Sequence, residues 1–508
     1  MLKVWTKEIL QEFVRTELAG RRFIVVSNRE PYQHLRSEGE IRWTEPAGGV
    51  TAALDPIMRA CGGLWIAHGS GDADHQAVDR RDHVPVPPDN PEYNLRRIWL
   101  TKEEEEGYYA GLSNQGLWPL CHVAFTRPRF DLNHWKMYRR INQRFADAVV
   151  QEAGGKPAFV FIQDYHFALL PRLLRNASAN LVIAQFWHIP WPNPELFRAF
   201  PWREEILDGL LGNDLLGFHL AHHCQNFLDT IDTSLEARID PDNSEVIHRG
   251  RTTAVRPFPI GIDFDAHVDT AESPDVTEQM EVWLKKHSLE HKLVGVGIDR
   301  LDYTKGIPER LRAFCHLLEE SGQYHNRLVL VQIAVPSRST LPAYREIEEE
   351  VQGLTEEING RWGTSSWKPV VLLQENYSTP QMIALHRIAA FCVVSSLHDG
   401  MNLVAKEFVA SRIDEDGVLV LSSFAGAARE LKDAILVNPY SVEEVAEAYK
   451  RALTMPREER MRRMMKMREQ VEHNNVYRWA GTFLSDQFAI EFPEQSARYN
   501  TPAIGVAV

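Results

Sequence analysis

The residues best suited to chemistry lie in one stretch, 396–409, which follows the apolar run 391–395. The apolar run predicts a buried strand, Asp399-Gly400 predicts a sharp turn, and the apolar spacing after Asn402 predicts a helix. A helix start offers unpaired N–H groups and a positive dipole, which suit a phosphate. Glu407, one turn in, can accept hydrogen bonds from vicinal hydroxyls. The stretch predicts a nucleotide-sugar site, although an ordinary strand-to-helix turn can have the same pattern.

Six further clusters lie along the chain, five of them just after an apolar run and one, Gly48-Gly49, in a loop soon after the first run. They are Ser27-Asn28-Arg29, Gly48-Gly49, Gln163-Asp164-Tyr165-His166, Trp187-His188-Ile189-Pro190, Arg300-Leu301-Asp302-Tyr303-Thr304-Lys305 and Pro336-Ser337-Arg338. Each cluster alone has an ordinary explanation; Asp164, for example, could simply cap a helix. Because ligands bind at the carboxyl ends of parallel strands, all seven clusters together predict a shared binding site.

The pattern of apolar runs predicts the fold class. Ten runs rich in β-branched residues recur at 23–27, 158–162, 181–186, 214–218, 293–298, 328–333, 370–373, 391–394, 417–421 and 434–437. Most are continuous rather than alternating, which is typical of parallel strands covered on both faces. Helical patterns lie between them, and a clear one starts at Ser441 with Glu444 as its capping-box partner. The sequence therefore predicts an α/β protein with doubly wound, Rossmann-like sheets.

We expect these strands to belong to two domains, because a chain of 508 residues is too long for one core. We place the boundary at 262, so that residues 1–262 form the first domain and 263–473 the second. The amphipathic segment 1–20 predicts a helix packed on the first domain, not an export signal. The Arg- and Met-rich stretch 457–468 predicts a solvated helix with a Met-lined inner face.

Composition narrows the classes of partner. The net charge of −14 disfavours nucleic acid, and no apolar run reaches membrane-spanning length. Five scattered cysteines without a CxxC pair favour free thiols in a reducing cytoplasm over disulfides or a zinc site. Local arginines and lysines must then bind any anionic substrate at short range.

Motifs in nine places resemble those of the trehalose-6-phosphate synthase family of retaining glycosyltransferases, which is related to the glucosylglycerol-phosphate synthases. They are SNR (27–29), AGG (47–49), YYAGLSNQGLWP (108–119), DYH (164–166), HIPWP (188–192), DLLGF (214–218), RLDYTKGIPER (300–310), DGMNLVAKE (399–407) and FAGAARE (424–430). The resemblance covers about residues 22–490. It implies the GT-B fold, with two Rossmann-like domains facing a cleft, no metal or other cofactor, and a helix at 474–490 that completes the first, acceptor-binding domain.

The resemblance assigns the second domain to the nucleotide-sugar donor. Arg300 and Lys305 would stabilise the leaving diphosphate, and Asp399 would bind the donor sugar. His188 would bind the primary hydroxyl of that sugar or the charge that develops nearby. The implied donor-binding residues are Gly48, Gly49, His188, Arg300, Lys305, Tyr377, Asp399, Asn402, Leu403, Val404 and Glu407. The contacts to the nucleotide base, near Tyr377, are expected to come largely from the backbone. The side chains therefore do not distinguish UDP, GDP and ADP as the nucleotide of the donor, and UDP is the default.

The same resemblance implies an acceptor pocket and a mechanism. The acceptor-binding residues are Arg29, Tyr109, Trp118, Asp164 and Arg338, and the catalytic residues are Asp164, His188, Arg300, Lys305 and Asp399. Arg29 and Arg338 would bind the phosphate of the acceptor, and Asp164 would bind the hydroxyls of the acceptor. The acceptor hydroxyl would attack on the face that the diphosphate leaves, and a phosphate oxygen would take its proton, so that catalysis rests on positioning and charge stabilisation.

Three departures from the family pattern bear on the identity of the acceptor and of the nucleotide base. Gln163 stands where the family usually has His, His398 where it usually has Arg, and Glu30-Pro31-Tyr32 resembles the glucosylglycerol-phosphate synthases. Arg338, by contrast, goes with a sugar-phosphate acceptor. The expected reaction is glucosyl transfer from UDP-glucose to glucose 6-phosphate; glycerol 3-phosphate as acceptor, or a non-catalytic sugar-phosphate-binding regulator, are the alternatives. The oligomeric state, a homo-oligomer included, stays open.

Overall fold

The computed structural model describes residues 5–18, 20–46, 48–123 and 125–491. The chain folds as two compact units. Of the described residues, the first unit contains Arg129–Phe258 together with those up to Trp118 and those from Tyr477 to 491, and the second unit contains Pro259–Val476 together with those between Pro119 and Pro128. The return of 119–128 to the second unit has no signal in the sequence, since it depends on contacts with residues far along the chain.

The first unit is built on β1–β12. Their bounds are β1 Arg22–Arg29, β2 Gln33–Ser37, β3 Glu40–Thr44, β4 Leu64–His68, β5 His83–Val86, β6 Tyr93–Ile98, β7 Ala158–Gln163, β8 Leu181–Phe186, β9 Leu215–Phe218, β10 Arg238–Asp240, β11 Glu245–His248 and β12 Arg251–Pro257. Within the described residues, β2 and β3 form a hairpin, and the other ten strands form one sheet in the order β10-β11-β12-β9-β8-β7-β1-β4-β6-β5. The seven from β12 to β6 run parallel.

Helices cover this sheet. They are α1 Lys7–Glu17, α2 Gly49–Cys61, α3 Asp74–Ala77, α4 Lys102–Glu105, a π-helix Glu106–Leu117, α6 Leu132–Ala153, a 3-10 turn Tyr165–Phe167, α7 Leu170–Ala177, α8 Pro194–Phe197, α9 Arg203–Leu210 and α10 Ala221–Ser234. The short helix α5, Trp118–His122, follows the π-helix and belongs, apart from Trp118, to the second unit. The predicted N-terminal helix is α1, which buries Leu10 and Val14. Residues 1–4 and 19 of that prediction, and Ala47 of the 47–49 motif, lie outside the described residues.

The second unit holds a six-stranded parallel sheet in the described chain. Its strands are β13 Leu293–Arg300, β14 Leu328–Val335, β15 Val370–Leu373, β16 Phe391–Val394, β17 Val418–Ser422 and β18 Ile435–Val437. Their order is β15-β14-β13-β16-β17-β18, which is the Rossmann order 3-2-1-4-5-6. The helices are α11 Phe264–Glu272, α12 Pro274–Lys286, α13 Ile307–Glu320, a 3-10 turn Gly322–Tyr324, α14 Pro342–Trp362, α15 Thr379–Ile388, α16 Leu403–Ser411, a 3-10 turn Gly426–Arg429, α17 Val442–Thr454 and α18 Arg457–His473.

The predicted strands all form, and the α/β interpretation is confirmed. The six residues that follow Arg22 in β1 are buried, as expected of a strand covered on both faces. Some strands that were not predicted from the sequence, such as β3 and β10, are short and polar, so they lack a continuous apolar run. The buried strand β4 has an apolar run, and the prediction missed it. No helix in the described residues is long and apolar enough to span a bilayer.

Two helix predictions differ in outcome. The Arg- and Met-rich stretch forms α18, with Met464 and Met467 buried on its inner face, as predicted. At the start of α17, Ser441 Oγ accepts from Glu444 N at 3.3 Å, but the Glu444 carboxylate accepts from Asn438 N at 3.0 Å instead of Ser441 N. The prediction of a reciprocal capping box was therefore wrong, because the amide of Asn438 in the preceding turn, and not that of Ser441, donates to the Glu444 carboxylate.

The last helix, α19 (Val476–Glu491), packs on the first sheet. The Phe483 ring lies 4.6 Å from that of Phe161 on β7, and the Trp479 ring lies 5.0 Å from that of Phe186 on β8. A Cβ on Gly217 of β9 would come within 2.7 Å of Phe483, so glycine lets the helix approach this closely. These contacts place α19 against β7 and β8, the two strands that precede Asp164 and His188.

Each sheet reverses its direction of winding at one point. In the first sheet this switch point lies between β1 and β7, and in the second it lies between β13 and β16. Ligands of doubly wound sheets bind beyond the carboxyl ends of the strands at such points. Arg29 ends β1 and Asp164 follows β7, while Arg300 ends β13 and Ser395 follows β16.

Candidate active site

At the first switch point, Arg29 and Tyr109 come together. Arg29 Nη2 donates to Tyr109 Oη at 3.2 Å, and the Tyr109 ring stacks on His166 with centroids 5.6 Å apart. Tyr109 lies in the π-helix, a rare element that is frequent at functional sites. The arrangement presents a guanidinium and a phenol hydroxyl side by side, a pair suited to phosphate oxygens.

Asp164 is held in a strained backbone conformation at φ 74° and ψ 174°. Its carboxylate Oδ1 accepts from Tyr165 N at 2.9 Å and from His188 N at 3.3 Å. Gln185 Nε2 donates to its carbonyl at 3.0 Å. Strain of this kind persists only where neighbours fix it, and it clusters at functional sites. The half-buried carboxylate therefore has one defined position beside His188.

The remaining predicted residues of the first unit are structural neighbours of this cluster. Trp118 is buried, with its ring 5.9 Å from that of Tyr165. Gly48 caps α2 and Gly49 is its first residue. A Cβ on Gly48 would lie 3.6 Å from Arg29 Nη1, so this glycine leaves space beside the guanidinium.

At the second switch point, Lys305 and Asp399 form a close ion pair. Lys305 Nζ donates to Asp399 Oδ2 at 2.6 Å, and the same oxygen accepts from Ser396 Oγ and Asn402 Nδ2, each at 3.1 Å. Burial alone would raise the pKa of Asp399, but the Lys305 ammonium and these hydrogen bonds hold it well below its ordinary value. Asp399 therefore stays ionised and anchors the lysine at the end of β16.

Gly306 allows the Lys305 loop to reach this position. It adopts the left-handed region at φ 62°, and a Cβ there would lie 2.1 Å from the Ser395 carbonyl oxygen. Ser395 Oγ in turn donates to the Gly306 carbonyl at 2.8 Å. The buried Arg310 guanidinium donates from Nε to Ser395 Oγ at 3.0 Å. The loop after β13 is thus fixed against the end of β16.

Helix α16 begins at the residues predicted to approach the phosphates. Asn402, at φ 79°, caps it by accepting from Ala405 N at 3.1 Å. Leu403 and Val404 follow, and amides in this first turn lack intrahelical acceptors. Lys406 is buried and donates to the Ile260 carbonyl at 2.7 Å and to Glu430 at 2.6 Å, which fixes the helix and therefore the position of Glu407.

Glu407 is in an unusual electrostatic state. No group among the described residues donates a hydrogen bond to its carboxylate, and burial raises the pKa of this carboxyl to about 7. A carboxylate in this state has unused acceptor capacity at neutral pH. It can therefore bind a diol such as a ribose, provided that it is ionised.

We expect the donor affinity to depend on pH through Glu407. Because the pKa is raised to about 7, the acceptor form is lost as pH falls through 7, and the KM for the nucleotide sugar should rise between about pH 8 and about pH 6. Initial rates at varied donor concentration measure this. Glu407→Gln should show a high donor KM that no longer depends on pH over this range. If the donor KM of the variant still rises with falling pH as it does in the wild type, the assignment is contradicted.

Arg338 and Tyr377 lie elsewhere on the second unit. Arg338, at φ 52°, donates from Nη1 to Tyr344 Oη at 2.5 Å and to Asp302 Oδ2 at 3.4 Å. The Tyr377 ring packs on Trp283 at 5.1 Å. The structure links Arg338 to the Arg300–Lys305 loop through Asp302, and it shows no contact of Tyr377 with Glu407 or Asp399 among the described residues.

Several residues of these clusters were not selected from the sequence. Ser396 and Asp302 lie inside the quoted stretches and could have been chosen as buried polar partners. Tyr344 had no signal, because a tyrosine on a helix is normally core. His398, which departs from the family pattern, hydrogen-bonds the His122 carbonyl through Nδ1 at 2.8 Å, and burial lowers its pKa. Its ring thus contacts the returning segment 119–128.

Comparison with known proteins agrees with this geometry. The profile of glycosyltransferase family 20 matches residues 21–488. A trehalose-6-phosphate synthase of Mycobacterium avium is 39% identical over 471 residues, which cover 91% of this chain and 94% of that protein. A bifunctional trehalose-6-phosphate synthase/phosphatase of Thermoproteus tenax is 38% identical over 94% of this chain, which spans only 65% of that longer protein.

A solved structure extends the likeness to the fold. The crystal structure of a UDP-forming α,α-trehalose-phosphate synthase from Burkholderia xenovorans, in complex with glucose 6-phosphate, matches with a TM-score of 0.82 and 33% identity. The match covers 92% of this chain and all of that one. Together with the two doubly wound sheets, it confirms the GT-B fold class.

Proposed function

The chain belongs to glycosyltransferase family 20, and we propose that it transfers glucose from UDP-glucose to glucose 6-phosphate, forming α,α-trehalose 6-phosphate. The observation that carries the proposal is the Lys305–Asp399 pair at 2.6 Å, fixed at the switch point of the second sheet. It places a cation and a hydroxyl-binding carboxylate side by side. A nucleotide sugar needs both, one for its diphosphate and one for its sugar.

The donor half of the reaction rests on the second unit. As the glycosidic bond to the diphosphate breaks, negative charge grows on the leaving oxygens. Arg300, Lys305 and the amides at the start of α16 would stabilise that charge without a metal, and Glu407 would hold the ribose. The Burkholderia xenovorans relative is a UDP-forming synthase, which supports uridine as the base of the donor.

The acceptor half rests on the Arg29–Tyr109 pair and Asp164. The pair would bind the phosphate of glucose 6-phosphate, Asp164 would accept from its hydroxyls, and Arg338 would add a second cation. Asp164 Oδ1 already accepts hydrogen bonds from two amides, which makes this carboxylate a poor base. We therefore propose that a leaving phosphate oxygen takes the proton, with retention at the anomeric carbon.

The Glu30-Pro31-Tyr32 segment does not argue for glycerol 3-phosphate. Glu30 is fully buried and accepts from Arg97 Nε at 2.7 Å and from Ser70 N at 2.7 Å. Tyr32 donates through its hydroxyl to Asp55 at 3.0 Å. Both side chains are held by contacts in the core of the first unit, so the segment gives no direct support to glycerol 3-phosphate as the acceptor.

A grid of donors and acceptors tests the proposal. We expect UDP-glucose with glucose 6-phosphate to give the highest kcat/KM. Glycerol 3-phosphate should be about 5- to 150-fold worse, because a shorter acceptor leaves a buried polar group unpaired at a cost of about 1–3 kcal/mol. Product identification by NMR and assay of released UDP, GDP or ADP measure this. A preference for glycerol 3-phosphate would overturn the acceptor, and binding of glucose 6-phosphate without any nucleotide release would indicate a regulator.

A further inference from the structure

Gln163 and His188 form a buried side-chain pair next to Asp164. Gln163 is the last residue of β7 and is fully buried, and His188 lies just beyond β8. His188 Nε2 and Gln163 Oε1 are 2.8 Å apart. The pair therefore joins two neighbouring strands at the point where they reach the switch point of the first sheet.

The His188 ring is neutral in this environment. It packs edge-on against Phe186 with centroids 4.7 Å apart, and against His219 at 5.8 Å. Burial first, and then the nearby His219 and His166, hold the pKa of His188 well below its ordinary value. A neutral imidazole carries one N–H, so one ring nitrogen donates and the other can only accept.

The partner of Nε2 determines which nitrogen carries the proton. An amide oxygen can only accept, so the contact with Gln163 Oε1 requires the proton on Nε2. No group among the described residues hydrogen-bonds Nδ1, which lies on the opposite edge of this half-buried ring. Gln163 Nε2 has no partner in the described structure, so the contact with His188 is the only hydrogen bond of this side chain among the described residues.

We propose that Gln163 is a positioning residue that fixes the Nε2–H tautomer of His188, so that Nδ1 accepts a hydrogen bond from a hydroxyl of the transferred sugar. The inference rests on the proposed function, because it takes the sugar of the nucleotide sugar as the ligand of His188. It also goes beyond that function, because it gives Gln163 a role and fixes the direction of the hydrogen bond between His188 and the sugar hydroxyl.

Two variants separate tautomer control from simple packing. Gln163→Met keeps the volume and removes the acceptor, so UDP-glucose should bind about tenfold more weakly by calorimetry, while UDP alone, which lacks the sugar, binds unchanged. Gln163→Glu restores an acceptor oxygen and adds a charge, so it should recover UDP-glucose affinity at high pH and lose it as pH falls and His188 is protonated. Gln487→Met removes a buried amide on α19 and should change neither affinity.

Nitrogen-15 NMR of histidine-labelled protein reads the tautomer directly, with His188→Gln assigning the signal. We expect Nε2 protonated and Nδ1 unprotonated in the wild type, and a mixture of tautomers in Gln163→Met. A wild-type Nδ1–H tautomer, or equal weakening of UDP and UDP-glucose binding in Gln163→Met, would overturn the inference. If the wild type transfers no glucose, the proposed function fails, and the NMR signal still decides whether Gln163 sets the tautomer.

Discussion

Lys305→Ala is expected to lower kcat by about 10²–10³-fold, the usual effect of removing one preorganised charge-stabilising donor. The lysine is the cation fixed at the second switch point by Asp399 at 2.6 Å, and its contact with the diphosphate should strengthen as the bond to glucose breaks. The KM for the nucleotide sugar should change less than kcat, because the loss falls mainly on the transition state. Steady-state kinetics with UDP release as the signal measure both constants.

Lys285→Ala is the matched control. Lys285 pairs with Glu281 at 3.2 Å on the surface of α12, with both side chains about two-thirds exposed, and such pairs contribute little. Its kinetic constants should match the wild type. Activity should also survive EDTA, because in the proposed mechanism cations of the chain neutralise the diphosphate. Activity lost on chelation and restored by a divalent ion would contradict the role given to Lys305.

Arg338→Ala is expected to raise the KM for glucose 6-phosphate by about 10- to 100-fold, while the KM for the nucleotide sugar changes by less than about threefold. The reason is that a charge-assisted hydrogen bond to phosphate is worth about 1.5–3 kcal/mol. Tyr344 and Asp302 hold the guanidinium through hydrogen bonds, and the Arg338 backbone is in the left-handed region. The side chain is therefore preorganised. Initial rates over a matrix of both substrates separate the two KM values.

Stability must be measured alongside, because Asp302 is fully buried and loses its Arg338 partner. Denaturant unfolding should show a loss of stability in Arg338→Ala, while Tyr344→Phe should show a smaller increase in acceptor KM because the guanidinium remains. Arg345→Ala, an exposed arginine on α14, is the control. Equal rises in the KM of both substrates would argue that Arg338 serves only the fold of the second unit.

The sequence by itself determined the strands and the turns that carry the site. The run 391–394 is a strand over those same residues, and α16 begins directly after Asn402. Both are local properties: continuous apolar runs suit strands that are buried on both faces, and caps and glycine turns act within a few residues. The glycine after Lys305 was visible in the sequence, and the structure supplies its reason in the Ser395 carbonyl oxygen.

The tertiary structure alone decided which of these residues are partners. Lys305 pairs with Asp399, which lies 94 positions further along the chain, and Gln163 pairs with His188, which lies 25 positions further along. Such pairs follow from strand order and register, which no local pattern encodes. The left-handed backbone at Asp164, Asn402 and Arg338 was equally invisible, because non-glycine residues adopt it only where surrounding contacts over-determine it.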